Sequence, residues 1–442
     1  MLRIKSYLNN IVAKILFIRL SKNKKSYSNY LNKPRLFWGP IPILNNKYNS
    51  IALNKIGFDS KSVMNGYYDS INKKTDYDLY LMDLIDVNSL SFFDRKLYWR
   101  FSNIYILNYL LEHFDIFHIP YSGLLFGNSD FKYLEKNLLK KFNKKIIVLP
   151  YGGDSYLYSK VINESLKYGL MISYPKAGIF ENKITEQVNF WQQYADFRMG
   201  CIAIDGFSLI EILPVNYLVI DTEIWQSKKI FSEADGINEE VTIIHTPNHR
   251  GFKGTEFIID AINKLKLEGL KINLVLLENI QNSQVQEIML GQADILVEQL
   301  IFIGYALSGI EGMASGIPVL SNLSDKRYTD LFRRYSYLNE CPILSSTPEN
   351  IIGNLRILIK NPLLRKELGI AGRKFAEKYH SYNLAQKMYT KIYDKIWNKR
   401  DFELWNYFHP LNPDSYNNQI PKIEHPLFEN KIPEALLNTL NK

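Results

Sequence analysis

Cysteine is scarce in this sequence. Cys201 and Cys341 are the two in 442 residues, far apart and in no metal-ligand spacing. That argues against a disulfide framework or a zinc cluster and fits a reducing, cytoplasmic setting. Long apolar runs are missing too. None reaches the length of a membrane span, so an integral membrane protein is not expected. The apolar stretch "IVAKILFIRL" is broken by Lys14 and Arg19 and is followed by no small-residue cleavage pattern, which speaks against a secretory signal. An acidic excess is also lacking. Lys and Arg total 54 against 45 Asp and Glu, and the net charge of +9 favours polyanionic neighbours such as nucleotide phosphates or an anionic membrane face. Internal repeats and long low-complexity tracts are absent.

What remains is a globular composition, 46% hydrophobic and 22% charged, in a chain long enough for two domains. Near the N-terminus, Ile4, Leu8, Ile11, Val12, Ile15 and Leu16 fall at helical spacing among Lys5, Lys14, Arg19, Lys22, Lys24 and Lys25. Such a segment, residues 1–29, either lies in a lipid interface or packs on its own domain.

Short apolar runs then alternate with longer helical patterns. "RLFWG", "YDLYLMDLI", "FDIFHIP" and "KKIIVLPYGGD" read as strands, with the helix "FKYLEKNLLKKF" between the last two. "GCIAI", "YLVI", "VTIIHTP", "INLVLLE", "QADILVE" and "GIPVLSN" extend the series. Strands separated by helices of this length imply right-handed βαβ units and parallel sheets. The pattern restarts near Val241, giving an α/β unit over 30–220, a linker over 221–240 and a second α/β unit over 241–390. Residues 391–442 hold the end of a helical stretch and an aromatic, Pro-rich tail, which can pack back on the first unit.

Two strand-to-helix junctions in the second unit carry anion-binding chemistry. In "HTPNHRGFKGTEF", Arg250, Lys253 and Gly254 occupy one turn before a helix, where unpaired N–H groups and the dipole favour negative charge. In "QADILVEQLIFIGYALSGIEGMASGIPVLSN", Gly304 and Gly309 flank a turn into a short helix. Backbone N–H groups from Ser308 through Gly309 to Ile310 are placed for a phosphate, Gln299 lies nearby, and Glu311 is one turn in, placed for a ribose diol. Both junctions lie at the carboxyl ends of parallel strands, where ligands bind. In the first unit, the glycines of "LPYGGDSY" let a tight turn aim Asp154 into the cleft or use it as a helix cap, and His118 ends a strand. His245 and His249 flank the basic loop and are read first as structural. Asp76 and Asp78 match a metal-binding D-x-D but precede a strand in the wrong half, so no metal site is expected. The basic runs "KYLEKNLLKKFNKK" and "SDKRYTDLFRRYSY" come without a nucleic-acid motif, so nucleic acid is not an expected partner.

"HTPNHRGFKGTEFIIDAINKL", the core "EGMASGIPV" and "LGIAGRKFAEKYHSYNLAQKMYTKIYDKIW" together resemble the C-terminal half of GT-B-fold glycosyltransferases of family 4, over about residues 240–398. The resemblance implies two facing Rossmann-like domains and an enzyme without metal or cofactor. It would move a sugar from a nucleotide diphosphate, usually with retention, to a glycan or lipid-linked acceptor of surface polysaccharide synthesis. By position, Arg250 and Lys253 would neutralise the departing diphosphate and Glu311 would hold the ribose. Asp154 and His118 would face the acceptor. The protein would be cytoplasmic, or peripheral on the inner face of the plasma membrane. Two departures stand out. Ile303 occupies the position eight residues before Glu311 where the family often has a second Glu, and Tyr151 replaces a His. They keep open a non-catalytic relative, and the same fold also admits a nucleotide-sugar epimerase.

Overall fold

The computed structural model describes residues 11–16, 18–19, 33–404 apart from 70, 128, 130, 201, 209, 212–216, 335 and 336, and 425–440. The first half builds a six-stranded sheet from β1 (Leu36–Trp38), β2 (Ser60–Met64), β3 (Leu79–Tyr80), β4 (Ile116–Pro120), β5 (Lys145–Leu149) and β6 (Phe197–Arg198). Its order is β3-β2-β1-β4-β5-β6 and the pairings are parallel. The second sheet uses β7 (Val241–His245), β8 (Ile272–Leu276), β9 (Ile295–Ile303), β10 (Val319–Asn322) and β11 (Leu344–Ser345), ordered β11-β10-β9-β7-β8 and again parallel. The expected α/β architecture of two units with parallel sheets is therefore the observed one.

Helices cover both faces, so the central strands read as unbroken apolar runs. Leu36–Trp38 and Ile116–Pro120 are buried at every position. Each sheet reverses its winding once, between β1 and β4 and between β7 and β9. A crevice opens beyond the strand ends at such a point. The second reversal carries the two loops, after β7 and β9, that the sequence singled out, while the Asp154 loop follows β5, one strand from the first reversal.

Three expected strands are not there as such. "YDLYLMDLI" contributes only Leu79–Tyr80 before breaking into 3-10 turns. Of "GCIAI", Gly200 and residues 202–204 are turn and coil after the short β6, and Cys201 lies outside the described residues. "YLVI" is buried but pairs with no strand: the Val219 N–H donates to Asn45 Oδ1 and the Ile220 N–H to His380 O. Its apolar character reflects burial at a crossing between halves rather than a sheet.

The chain passes between the halves more than once. After the segment 199–240 it enters the second unit, and the helix Tyr382–Ile396 then returns to pack on the helix Leu44–Lys55. Gln386 Nε2 reaches Ala52 O at 2.9 Å across that contact. Of the amphipathic N-terminal segment, residues 11–16 and 18–19 are described and helical. Ala13 and Leu16 join the first half's core, while Ile4, Leu8, Lys5, Lys22, Lys24 and Lys25 lie outside the described residues. So do residues 405–424 of the Pro-rich tail.

Candidate functional site

β7 ends in His245, whose ring is pinned on both sides. Nδ1 lies 2.7 Å from Val297 O and Nε2 lies 2.8 Å from Thr255 Oγ1. Burial pushes its pKa down to about 3, so it is neutral and structural. The loop continues into one helical turn, Arg250–Lys253, and Gly254 stops that turn in the left-handed region at φ 74° before the helix Thr255–Leu267 begins.

Lys253 does not project into the crevice as the sequence suggested. It is 3% exposed, and its ammonium bonds Glu298 and, at 2.9 Å, Gln299 Oε1. Glu298 also accepts from Ser321 Oγ at 2.9 Å, Ser308 Oγ at 3.2 Å and the Ala306 N–H at 3.3 Å. A buried ion pair survives only when its remaining hydrogen-bonding capacity is met, and here three further donors meet it. One carboxylate thus ties the basic turn, the middle of β9, the end of β10 and the next helix together. Gln299 completes the knot by donating to Gly304 O at 2.9 Å.

Gly304 leaves β9 at φ 103°, where a Cβ would lie 3.4 Å from Ile202 Cγ2 of the first half. The helix Leu307–Ala314 follows, and its N-cap, Ala306, has no side chain to cap the first turn. Gly309 lies inside this helix rather than flanking a turn, and a Cβ there would sit 3.4 Å from Glu298 Cγ. Ile310 is buried, and its N–H is already bonded to Ala306 O at 3.3 Å, so it is not free for a phosphate. The N–H groups of Ser308 and Gly309 belong to this first turn and receive no side-chain cap.

Glu311 is 3% exposed, with Oε1 accepting from Asn282 Nδ2 at 2.8 Å. Burial first, then the charge of Glu298, pushes its pKa up to about 8 despite the Asn282 hydrogen bond. It is mostly protonated at neutral pH and can donate as well as accept. Asn282 also lines a cavity of about 160 Å³ between the halves, with Tyr48, Lys47, Trp225 and Gln286.

Arg250 is exposed and forked to two carboxylates, Glu256 at 2.8 Å and Glu278 at 3.0 Å. The first half covers the same turn. Phe252 N–H donates to Ser173 Oγ at 3.0 Å, and the Tyr174 ring stands 4.3 Å from that of His249. Gly169 permits this approach, since a Cβ would lie 2.7 Å from Ile301 Cγ2 and 3.2 Å from Phe252 Cα.

In the first half, His118 is not at the crevice. It is fully buried, stacked 3.6 Å from Trp38, with Nδ1 2.9 Å from Phe37 O and Nε2 2.9 Å from Tyr393 OH. Its pKa falls to about 3 through burial, so the expected catalytic role gives way to a structural one. Asp154 caps no helix. Its carboxylate clasps the Tyr121 N–H at 2.8 Å and the Tyr151 N–H at 2.9 Å, joining the loops after β4 and β5. Burial raises it to about 6. It borders a cavity of about 610 Å³ with Ser122, Ser129, Phe180, Lys183 and Gln187.

Asp76 and Asp78 are engaged elsewhere, Asp76 with Lys47 at 2.6 Å and Asp78 with the Ser62 N–H at 2.7 Å. Among the described residues no three His, Cys, Asp or Glu side chains gather as metal ligands. Sequence reading missed Glu298 and Asn282. The available signal was Glu298 and Gln299 side by side in the apolar strand "ILVEQLIFI", since a buried charge implies a partner. Ile303 is buried in the core shared by both halves, so its position presents nothing to a ligand.

No family model and no curated protein matches the chain. Solved structures do. An alpha-glucosyltransferase in complex with UDP and a 13-mer DNA aligns over 81% of this chain and 98% of its own, at 12% identity and a TM-score of 0.50. Anabaena Alr3699/HepE in complex with UDP-glucose aligns over 81% and 99%, at 10% identity and a TM-score of 0.47. A putative UDP-N-acetylglucosamine 2-epimerase from Listeria monocytogenes aligns over 84% and 99%, at 12% identity and 0.41. At these identities the likeness is one of fold, and the fold is the GT-B architecture.

Proposed function

We propose that the chain is a nucleotide-sugar-dependent glycosyltransferase, binding its donor on the second half (241–390) and its acceptor on the first (30–220). The observation that carries this reading is the pairing of the two loops at the β7/β9 reversal: the basic turn and the uncapped helix start, held in register by Lys253, Glu298 and Gln299. Ser308 and Gly309 N–H groups would receive a diphosphate. Arg250, exposed at the same edge, would exchange a carboxylate for a phosphate as the cleaving bond loads charge onto the leaving group. Lys253 supports that charge from behind the loop. Glu311 and Asn282 would meet the ribose beside the 160 Å³ cavity, and Asp154 would orient an acceptor hydroxyl in the 610 Å³ cavity. The chemistry needs no metal and retains configuration in this reading. The acceptor is a glycan or a lipid-linked glycan of surface polysaccharide synthesis, presented at the inner face of a membrane.

A second reading is favoured by one observation. Arg250 and Lys253 are both already paired with carboxylates, as in a relative that keeps the fold without turning over. Melting curves with UDP, GDP, CDP, ADP and their sugar conjugates separate the two. Ligand at about a hundred times its dissociation constant adds roughly 2.7 kcal/mol. A shift with one base that weakens in Arg250→Ala supports the donor site. No shift with any nucleotide by a folded protein sinks it in favour of the non-catalytic relative.

A further inference from the structure

The helix Phe92–His113 opens with side chains that a soluble surface rarely shows together. Phe92 is 74% exposed, Phe93 61% and Trp99 74%. The short N-terminal helix lies against this end: Arg19 Nη2 reaches Asp94 Oδ2 at 2.6 Å, and its guanidinium sits 5.9 Å from the Phe93 ring. That helix buries Ala13 and Leu16 but turns Ile11, Ile15 and Ile18, one stripe at i, i+4 and i+7, outward. A helix that only packed on its own domain would turn polar residues there. Here two helices from distant parts of the sequence present large apolar groups to solvent side by side.

Cations predominate around them. Lys14, Arg95, Lys96 and Arg100 are exposed, and Lys96 Nζ lies 4.4 Å over the Phe92 ring. Of the nearby carboxylates, Asp94 is held by Arg19 and Asp83 by Lys74. Phenylalanines flanked by cations, with a tryptophan at the border, are suited to the boundary between headgroups and acyl chains. Among the described residues no helix is long and apolar enough to cross a membrane.

We infer that this face docks the protein on an anionic lipid bilayer, with Phe92, Phe93, Trp99, Ile15 and Ile18 entering the interface and Lys14, Lys96 and Arg100 meeting headgroups. The inference deepens the membrane-side reading above but does not use the donor site. Its test is co-sedimentation of the full chain with vesicles of phosphatidylcholine alone and of an equimolar mixture with phosphatidylglycerol. The wild type should pellet with the mixture and remain in solution with phosphatidylcholine. Phe92→Ser/Phe93→Ser/Trp99→Ser should bind at least about tenfold more weakly with an unchanged melting midpoint. Leu267→Ser, which removes an 89% exposed leucine from the second half, should bind as the wild type does. Failure of the wild type to pellet with the mixture, or undiminished binding by the triple variant, overturns the inference. So does a wild-type dimer in sedimentation velocity that the triple variant dissolves, which would place a second copy on this face. Nucleotide melting shifts, measured without vesicles, stand or fall separately.

Discussion

Lys253 reaches back from the loop after β7 to Glu298 in the middle of β9, and the two form an ion pair that solvent barely touches. The pair joins the two loops that a nucleotide would have to bridge. Removing one partner leaves the other charge buried. Lys253→Met should therefore cost about 3–5 kcal/mol in urea unfolding. Adding Glu298→Gln should restore part of that loss, because the amide no longer needs a cation. Additive losses in the double variant would show that the two residues act separately.

Glu311 gives a pH signature. Its folded pKa of about 8 lies above the ordinary 4.5, so the native state holds the extra proton between those values. Stability from this group therefore falls as pH rises through that window. Glu311→Gln should remove the effect: the wild-type minus variant stability difference should slope downward from pH 4.5 to 8 and flatten above. A level difference would mean the carboxyl is ionised in the fold.

His118 separates packing from catalysis. His118→Ala should lose two hydrogen bonds and the stack on Trp38, at about 3 kcal/mol by calorimetry or denaturant. Once the variant is folded, its nucleotide melting shift should match the wild type. A stable variant that no longer transfers sugar would return His118 to the reacting atoms.

Gly169 tests the contact between the halves. Gly169→Ala forces a methyl against Ile301 and the Phe252 backbone, and overpacking of this kind costs about 1–3 kcal/mol. Because the strain falls on an interface, the variant should also lose amide-exchange protection in the turn Arg250–Lys253. Protection equal to the wild type would mean the helix Glu164–Ser173 yields without releasing the turn.

Much of the second half was legible from sequence because its signals are local. β7 to β9 are rich in isoleucine, valine and leucine, β10 opens just after Gly316 and Pro318, and the basic turn announces itself within a few residues. The first half was less so. β2, "SKSVM", is short and half polar, and its pairing with β1 depends on a chain segment more than twenty residues away. "YLVI" failed for the opposite reason: its apolarity answers to burial against Asn45 and His380, which local periodicity does not report. At the candidate site, the motif brought out Gly254 and Gly304, both at positive φ, and Glu311. Glu298 was passed over because a carboxylate inside a strand makes sense only once Lys253, Ser308 and Ser321 are seen around it. His118 reads in sequence as the end of a strand, but it lies in the middle of β4, under a tyrosine that comes from a helix near the far end of the chain.

That covering helix, Tyr382–Ile396, has a mechanical meaning. A body tethered at one point can pivot in any direction, whereas one tethered at two can only swing about the line between them. With the segment 199–240 as one tether and the returning helix as the other, the second half is hung like a door. Were the crevice to open, this second tether would leave it a single axis to open about.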